Sequence, residues 1–185
     1  MFAIAVFTAS FLAAREAQKI GISRDVVLDL AFWVVLAGIL GARLFYISFN
    51  LDYFLAVPSE IFMLQKGGLA WQGGFAGGIA AGLYFVKVKR LPLWKFVDVI
   101  APYIALGHAI GRIGCFLNGC CYGKPASWGL YYPVWHERLQ PTQIYMVLGQ
   151  LTIFLILRYV QPRSKYTGQV FVLYLMLSSV ERFLV

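Results

Sequence analysis

Charge is what this sequence has little of. Only 13% of its 185 residues are Asp, Glu, Lys or Arg, and 8 of them are acidic. Soluble domains run at about 25% charged and about 45–50% apolar, whereas 61% of this chain is hydrophobic. A water-facing surface cannot be built from so few polar residues, so the solvent is lipid. That excludes a soluble enzyme, a disordered tail and a coiled coil. Histidine is scarce, at 2, and cysteine is limited to Cys115, Cys120 and Cys121. An odd cysteine count leaves one thiol unpaired, and vicinal cysteines rarely bridge because the geometry is strained. With no CxxC pair and no histidine set nearby, a metal site is not expected. Linkers, low-complexity tracts and a convincing internal repeat are missing, so residues 1–185 read as a single domain. The net charge of +8 would suggest nucleic acid in a soluble protein. In a lipid-embedded chain Lys and Arg first set topology, and no nucleic-acid partner is expected.

What the chain does have is six apolar stretches: Met1–Ala14, Val26–Ile47, Leu69–Val88, Phe96–Leu117, Thr142–Leu157 and Gln169–Val185. A spanning helix needs about 20 residues. The second, third and fourth stretches meet that length, the fifth is slightly short, and the first and last run into the chain ends. The expected fold class is all-α, a polytopic transmembrane helical bundle with about six spans visible. The first stretch lacks the basic start of a signal peptide and is followed directly by Arg15, Glu16 and Lys19. It reads as the end of a helix whose beginning lies upstream.

The positions of Lys and Arg orient the bundle. Loops after the first, third and fifth stretches carry ten: Arg15, Lys19, Arg24, Lys87, Lys89, Arg90, Lys95, Arg158, Arg163 and Lys165. The alternate loops carry three, Lys66, Lys124 and Arg138. Basic loops stay in the cytoplasm, so both chain ends and the 118–141 segment face outward. That segment holds Trp128, Tyr131, Tyr132, Pro133 and Trp135, and the Asn50–Lys66 loop holds Tyr53, Phe54 and Phe62. Such aromatic loops lie along the headgroup zone.

The three remaining cations, Arg43, Arg112 and Arg182, sit in or at the ends of apolar stretches. Ionisable groups there cost several kcal/mol, which makes each a functional candidate. Arg112 lies between Gly111 and Gly114 with His108 one turn earlier, and Arg182 follows Glu181. An arginine fork matches phosphate oxygens with two hydrogen bonds. Two or three arginines near the outer leaflet would make an anion site suited to a phospholipid head, although Arg43 could equally snorkel to headgroups. Asp98 and Asp29 read as acids favouring a helix dipole. The third stretch is crowded with glycine, at 67, 68, 73, 74, 77, 78 and 82. These allow close helix packing or let a lipid chain lie on bare backbone.

Several blocks carry a family likeness. Gly111-Arg112-Ile113-Gly114-Cys115-Phe116-Leu117-Asn118-Gly119-Cys120 resembles the signature Gly-Arg-x-Gly-Asn-Phe-x-Asn-Gly-Glu of bacterial prolipoprotein diacylglyceryl transferases. Gly67-Gly68-Leu69-Ala70-Trp71-Gln72-Gly73-Gly74 is similar to their Gly-Gly-x-Ser-Phe-His-Gly-Gly, and Asp98-Val99-Ile100-Ala101-Pro102 to Asp-x-Ile-Ala-Pro. Pro141-Thr142-Gln143-Ile144-Tyr145 resembles His-Pro-Ser-Gln-Leu-Tyr-Glu, and Arg182-Phe183-Leu184-Val185 the start of Arg-Phe-x-Val-Glu. The Gly41-x-Arg43 pair matches the end of the second helix. The blocks keep order and spacing along nearly the whole chain. Departures are Gln72 for the family histidine, Cys115 for asparagine, and Cys120 and Met146 for glutamates. The likeness also implies residues missing at both ends, and about seven spans in the complete family fold.

The resemblance implies a transferase of the bacterial inner membrane, working toward the outer leaflet without cofactor or metal. It would move the diacylglyceryl group of phosphatidylglycerol to the lipobox cysteine thiol in the signal peptide of a preprolipoprotein, giving a thioether and glycerol phosphate. Arg112 and Arg182, with Arg43 in support, would hold the phosphate. Gln72 cannot take a proton, so His108 is the expected base. Gln72, Gly73, Gly74, Gly111, Gly114, Asn118, Gln143 and Tyr145 would contact substrate, with membrane lipids around them, and Thr142 would cap the fifth helix. Two other classes stay open: a phospholipid-binding or lipid-translocating protein of the same fold, and a membrane thiol-redox protein using the three cysteines.

Overall fold

The computed structural model describes residues 1–63, 67–133 and 135–185, with the side chain of Phe62 set apart. Lys66, counted above among the outer cations, lies outside the described residues. The chain forms two compact units, one from residues 1–24 and 93–185, the other from 25–92.

The larger unit contains α1 (Phe2–Ala17), α5 (Leu93–Leu117), α6 (Thr142–Val160) and α7 (Gln169–Leu184). Helix α5 packs against α1, α6 and α7. Small residues permit this. Ala101, Ala105 and Ala109 on α5 are buried, and Gly107 faces Ala5 and Ala9 of α1. Ala101 and Ala105 join Ile153, Leu157 and Val170 in the core. Helices embedded in lipid gain little from apolar contact alone, so close backbone approach supplies the attraction.

The smaller unit contains α2 (Arg24–Phe49), whose first residue belongs to the larger unit, a short α3 (Leu51–Ala56), and α4 (Trp71–Val88). Here the α4 glycines are packing residues. A methyl on Gly73 would collide with the carbonyl oxygen of Gly41 and with Phe45, and one on Gly77 would sit 2.5 Å from the Ala37 oxygen. Gly74 likewise faces the Gly38 oxygen and Ala42. The bare backbone of Gly73 and Gly74, expected from the sequence to meet substrate, is turned against α2 instead.

All six apolar stretches are helical. Among the described residues three helices are long and apolar enough to cross a membrane: α2, α5, and α6 continued through a 3₁₀ turn to Arg163. The other three are shorter, with 16, 18 and 16 residues in α1, α4 and α7. Large apolar side chains such as Phe7, Phe32, Leu44, Tyr84 and Leu155 point outward, as a lipid-facing surface requires.

Two local expectations are corrected. The 118–141 segment, read as a loop, carries a small sheet on an otherwise helical fold. It contains an antiparallel hairpin of β1 (Pro125–Tyr132) and β2 (Glu137–Leu139), pairing Leu130 with Leu139, Tyr131 with Arg138 and Tyr132 with Glu137. The hairpin buries Tyr132 and Leu139 while Trp128, Tyr131 and Trp135 stay exposed. Asp98, read as an acid serving its own helix, lies in the second turn of α5 and caps a different one. Its carboxylate accepts hydrogen bonds from the backbone N–H groups of Gly168 (2.5 Å) and Phe171 (2.8 Å) at the start of α7. Two donors that α7 cannot satisfy internally are thereby met.

Asp98→Ala should destabilise the larger unit by about 1–2 kcal/mol, measured as a lower unfolding midpoint in detergent, with Asp98→Asn recovering part of the loss. Gly73→Ala should cost about 1–3 kcal/mol through overpacking of α2 on α4. An unchanged midpoint for Gly73→Ala would contradict the close approach.

Candidate active site

Four ionisable groups gather in the larger unit. Arg112, one turn after His108 on α5, donates from Nε to His108 Nε2 at 3.4 Å. The acceptance makes Nδ1 the protonated nitrogen of a neutral His108, as assigned from this hydrogen bond. The rest of the Arg112 fork has no hydrogen-bond partner among the described residues. Among the described residues Arg182, exposed near the end of α7, makes one hydrogen bond, to the sulfur of Met146 on α6, at 3.8 Å. Thioether sulfur is a weak acceptor, so this guanidinium also keeps its donors. Both arginines lie within electrostatic reach of His108 and Glu181. Arg112 on α5 and Arg182 on α7 thus share His108 and Glu181 as electrostatic neighbours.

Below them, α6 and α7 share a polar pair that sequence reasoning missed. Gln150, fully buried, donates from Nε2 to Glu181 Oε2. Gln150 Oε1 and Glu181 Oε1 are buried without a hydrogen-bond partner among the described residues. Glu181 Oε1 lies against Gly149, where a methyl would not fit. The available signal was a glutamine in the apolar run of α6, seven residues after Gln143. It is informative only once α7 is known to face it.

The turn after α5 organises a second set. Gly119 closes the helix in the left-handed region (φ +65°), and Cys121 follows at φ +62°. The Cys120 N–H returns to the Cys115 carbonyl at 3.1 Å. This reversal brings the sulfur atoms of Cys115, Cys120 and Cys121 within 4.8 Å of one another, although their spacing is not a familiar ligand motif. Asn118, exposed at the rim, hydrogen-bonds the Cys120 thiol and holds it below the ordinary thiol range.

Other sequence-predicted residues have structural partners. Gln143 is completely buried. Its Nε2 donates to the Cys120 carbonyl at 2.6 Å, and its Oε1 accepts from the Tyr132 hydroxyl at 3.2 Å. Its amide joins the cysteine turn, the hairpin and α6 and is not presented to a ligand. Thr142 does not cap α6, since its hydroxyl donates to the Cys121 carbonyl at 2.8 Å. Tyr145 is half-buried, its ring 6.5 Å from that of Trp128. Gly111 has open space where a side chain would project, whereas Gly114 is covered by Met1.

In the smaller unit, Arg43 is buried and spends its donors on four carbonyls. Nε reaches Ile61 (3.0 Å), Nη1 reaches Gly67 (2.8 Å) and Gly68 (3.0 Å), and Nη2 reaches Glu60 (2.5 Å). It braces the chain after α3, and this work leaves little of its fork for a phosphate. Gln72 is exposed on the first turn of α4.

An apolar helical bundle carrying two arginines with unspent donors defines a membrane protein equipped to hold an anionic group. The profile of the family described as prolipoprotein diacylglyceryl transferase matches residues 1–185, and the chain belongs to that family. It is 35% identical over 187 residues to the phosphatidylglycerol–prolipoprotein diacylglyceryl transferase of Clostridioides difficile (strain 630), covering 100% of this chain and 75% of the relative. Similar relatives of the same name occur in Thermosynechococcus vestitus (35% identity, 99% of this chain and 73% of the relative) and Finegoldia magna (34%, 100% and 75%).

Arg43→Lys should loosen the segment it braces, because one ammonium cannot span four carbonyls. Loss of a bond to a charged donor costs about 1.5–3 kcal/mol, and faster protease cleavage within residues 58–63 or at 67–68 would report it.

Proposed function

We propose that this protein transfers the diacylglyceryl group of phosphatidylglycerol to the lipobox cysteine of a prolipoprotein, at the outer leaflet of a bacterial inner membrane. The observation that carries the reading is the Arg112–Arg182 pair, two guanidiniums with donors to spare around His108. Family membership and the names of the relatives support the substrates.

In this reaction the cysteine sulfur attacks the glyceryl carbon bonded to phosphate oxygen. A C–S bond forms, the C–O bond breaks, and the electron pair leaves on glycerol phosphate. Charge therefore grows on the departing phosphate ester. Fixed cations in a water-poor site stabilise that growth where it is worth most. Arg112 can present two parallel N–H groups to the phosphate oxygens, and Arg182 adds a second cation from α7. The thiol must lose its proton, since the thiolate is the nucleophile. His108 takes it at Nε2, which is freed when Arg112 turns to the phosphate. Asn118 and Tyr145 supply hydrogen bonds at the rim, Gly111 leaves room for the lipid head, and Gln72 offers an exposed amide in the smaller unit.

The alternation of ten basic residues on one set of loops against three on the other supports α1, α4 and α7 as further spans, with the cysteine turn and hairpin outside. A second reading, a phospholipid-binding relative without the chemistry, draws on Gln72, Cys115 and Cys120 at positions where the family pattern differs.

The two readings separate with purified protein in vesicles of labelled phosphatidylglycerol and a lipobox peptide. Label should appear on the peptide thiol. Arg112→Lys should slow transfer by about 10²–10³-fold, in line with the loss of one stabilising donor in other enzymes. His108→Ala should slow it by about 10²-fold or more if it is the base, and full activity in that variant would remove His108 from the mechanism. Lipid binding without transfer would select the second reading.

A further inference from the structure

Three thiols converge at the end of α5 without being needed for lipid transfer. Cys115 is on the last turn of the helix, Cys120 follows the left-handed Gly119, and Cys121 is itself left-handed. All three are unlinked. The Cys120 and Cys121 sulfurs are 3.8 Å apart, and all three fall within 4.8 Å of one another. The turn is pinned from outside, because Gln143 holds the Cys120 carbonyl and Thr142 the Cys121 carbonyl. The cluster is therefore positioned by its surroundings as well as by its own chain.

Two kinds of chemistry fit adjacent thiols. A disulfide needs sulfurs about 2.05 Å apart, and a vicinal one is strained. An ion bound about 2.3 Å from each of three sulfurs in a plane holds them about 4.0 Å apart. The 3.8 Å between the Cys120 and Cys121 sulfurs is close to the second, and the Cys115 sulfur lies within 4.8 Å of both. No fourth protein ligand joins the group among the described residues. Zinc in a structural site takes four ligands, whereas soft thiolate sets select Cu(I) among others.

We propose that Cys115, Cys120 and Cys121 form a three-thiolate site for one thiophilic, three-coordinate ion of the Cu(I) class. Binding replaces three S–H bonds by three S–metal bonds and releases three protons, with no change of oxidation state. Three thiolates around a monovalent ion leave a double negative charge. Arg112, which lies within electrostatic reach of Cys115, partly offsets it. Cys121 is exposed and gives the ion its entry, while Cys115 and Cys120 are half-buried.

The full chain, purified reduced and without oxygen, is titrated with Cu(I) delivered as its acetonitrile complex. One equivalent should bind and survive desalting, a thiolate-to-metal charge-transfer band should saturate at that ratio, and alkylatable thiols should fall from three to none. Cys115→Ser, Cys120→Ser and Cys121→Ser should each lower the retained ion at least tenfold, with size-exclusion profiles unchanged. Should a serine variant misfold, the band and thiol protection in the unsubstituted protein still decide the matter. Zn(II) should bind at least tenfold more weakly. Three alkylatable thiols in the presence of Cu(I), undiminished binding in the Cys121→Ser chain, or Zn(II) held as tightly as Cu(I) would each overturn the proposal.

Discussion

Inside a lipid-embedded bundle a polar atom has no water to fall back on, so the protein must supply its partner. That constraint sorts the polar residues of this chain. Asp98 meets two backbone N–H groups, Arg43 meets four carbonyls, and Gln143 bonds both ends of its amide. These residues hold segments together. Arg112 and Arg182 retain donors, and Gln150 and Glu181 retain bare acceptor oxygens. These groups keep hydrogen-bonding capacity that the described residues do not use.

The same rule explains why the three arginines, equivalent in the sequence, separate in the structure. Each interrupts an apolar run, and insertion cost alone cannot rank them. Arg43 is followed by a loop whose carbonyls fold back over it, a non-local event that no spacing rule encodes. Arg112 has a glycine neighbour with open space beside it and, among the described residues, a histidine as its one hydrogen-bond partner. Arg43 is buried with its donors satisfied, whereas Arg112, half-buried, and Arg182, exposed, keep donors that the described residues do not use.

Much of the fold was legible because lipid makes hydropathy a strong signal. The six apolar stretches coincide with α1, α2, α4, α5, α6 and α7 to within a few residues. The hairpin was not, since Trp128, Tyr131, Tyr132 and Trp135 looked like an interfacial aromatic belt, and pairing with Arg138 and Leu139 joins residues on either side of a turn. At the site, the pairing of Arg112 with His108 follows from helical spacing. The Gln150–Glu181 pair and the Asp98 cap were hidden because each joins helices far apart in sequence. The role of Gly73 was ambiguous for a related reason: bare backbone serves a neighbouring helix or a ligand equally well, and only the position of α2 decides.

The Asp98 cap also has a mechanical meaning. It fixes the starting height of α7 on α5, while Arg182 rides near the opposite end. The eleven steps from Phe171 to Arg182 rise about 16 Å. A tilt of about 5° at the anchor would swing the guanidinium by about 1.4 Å over that helical rise, half the length of a hydrogen bond. A carboxylate at one end of the bundle thus acts as the fulcrum that trues the aim of a cation at the other end of α7.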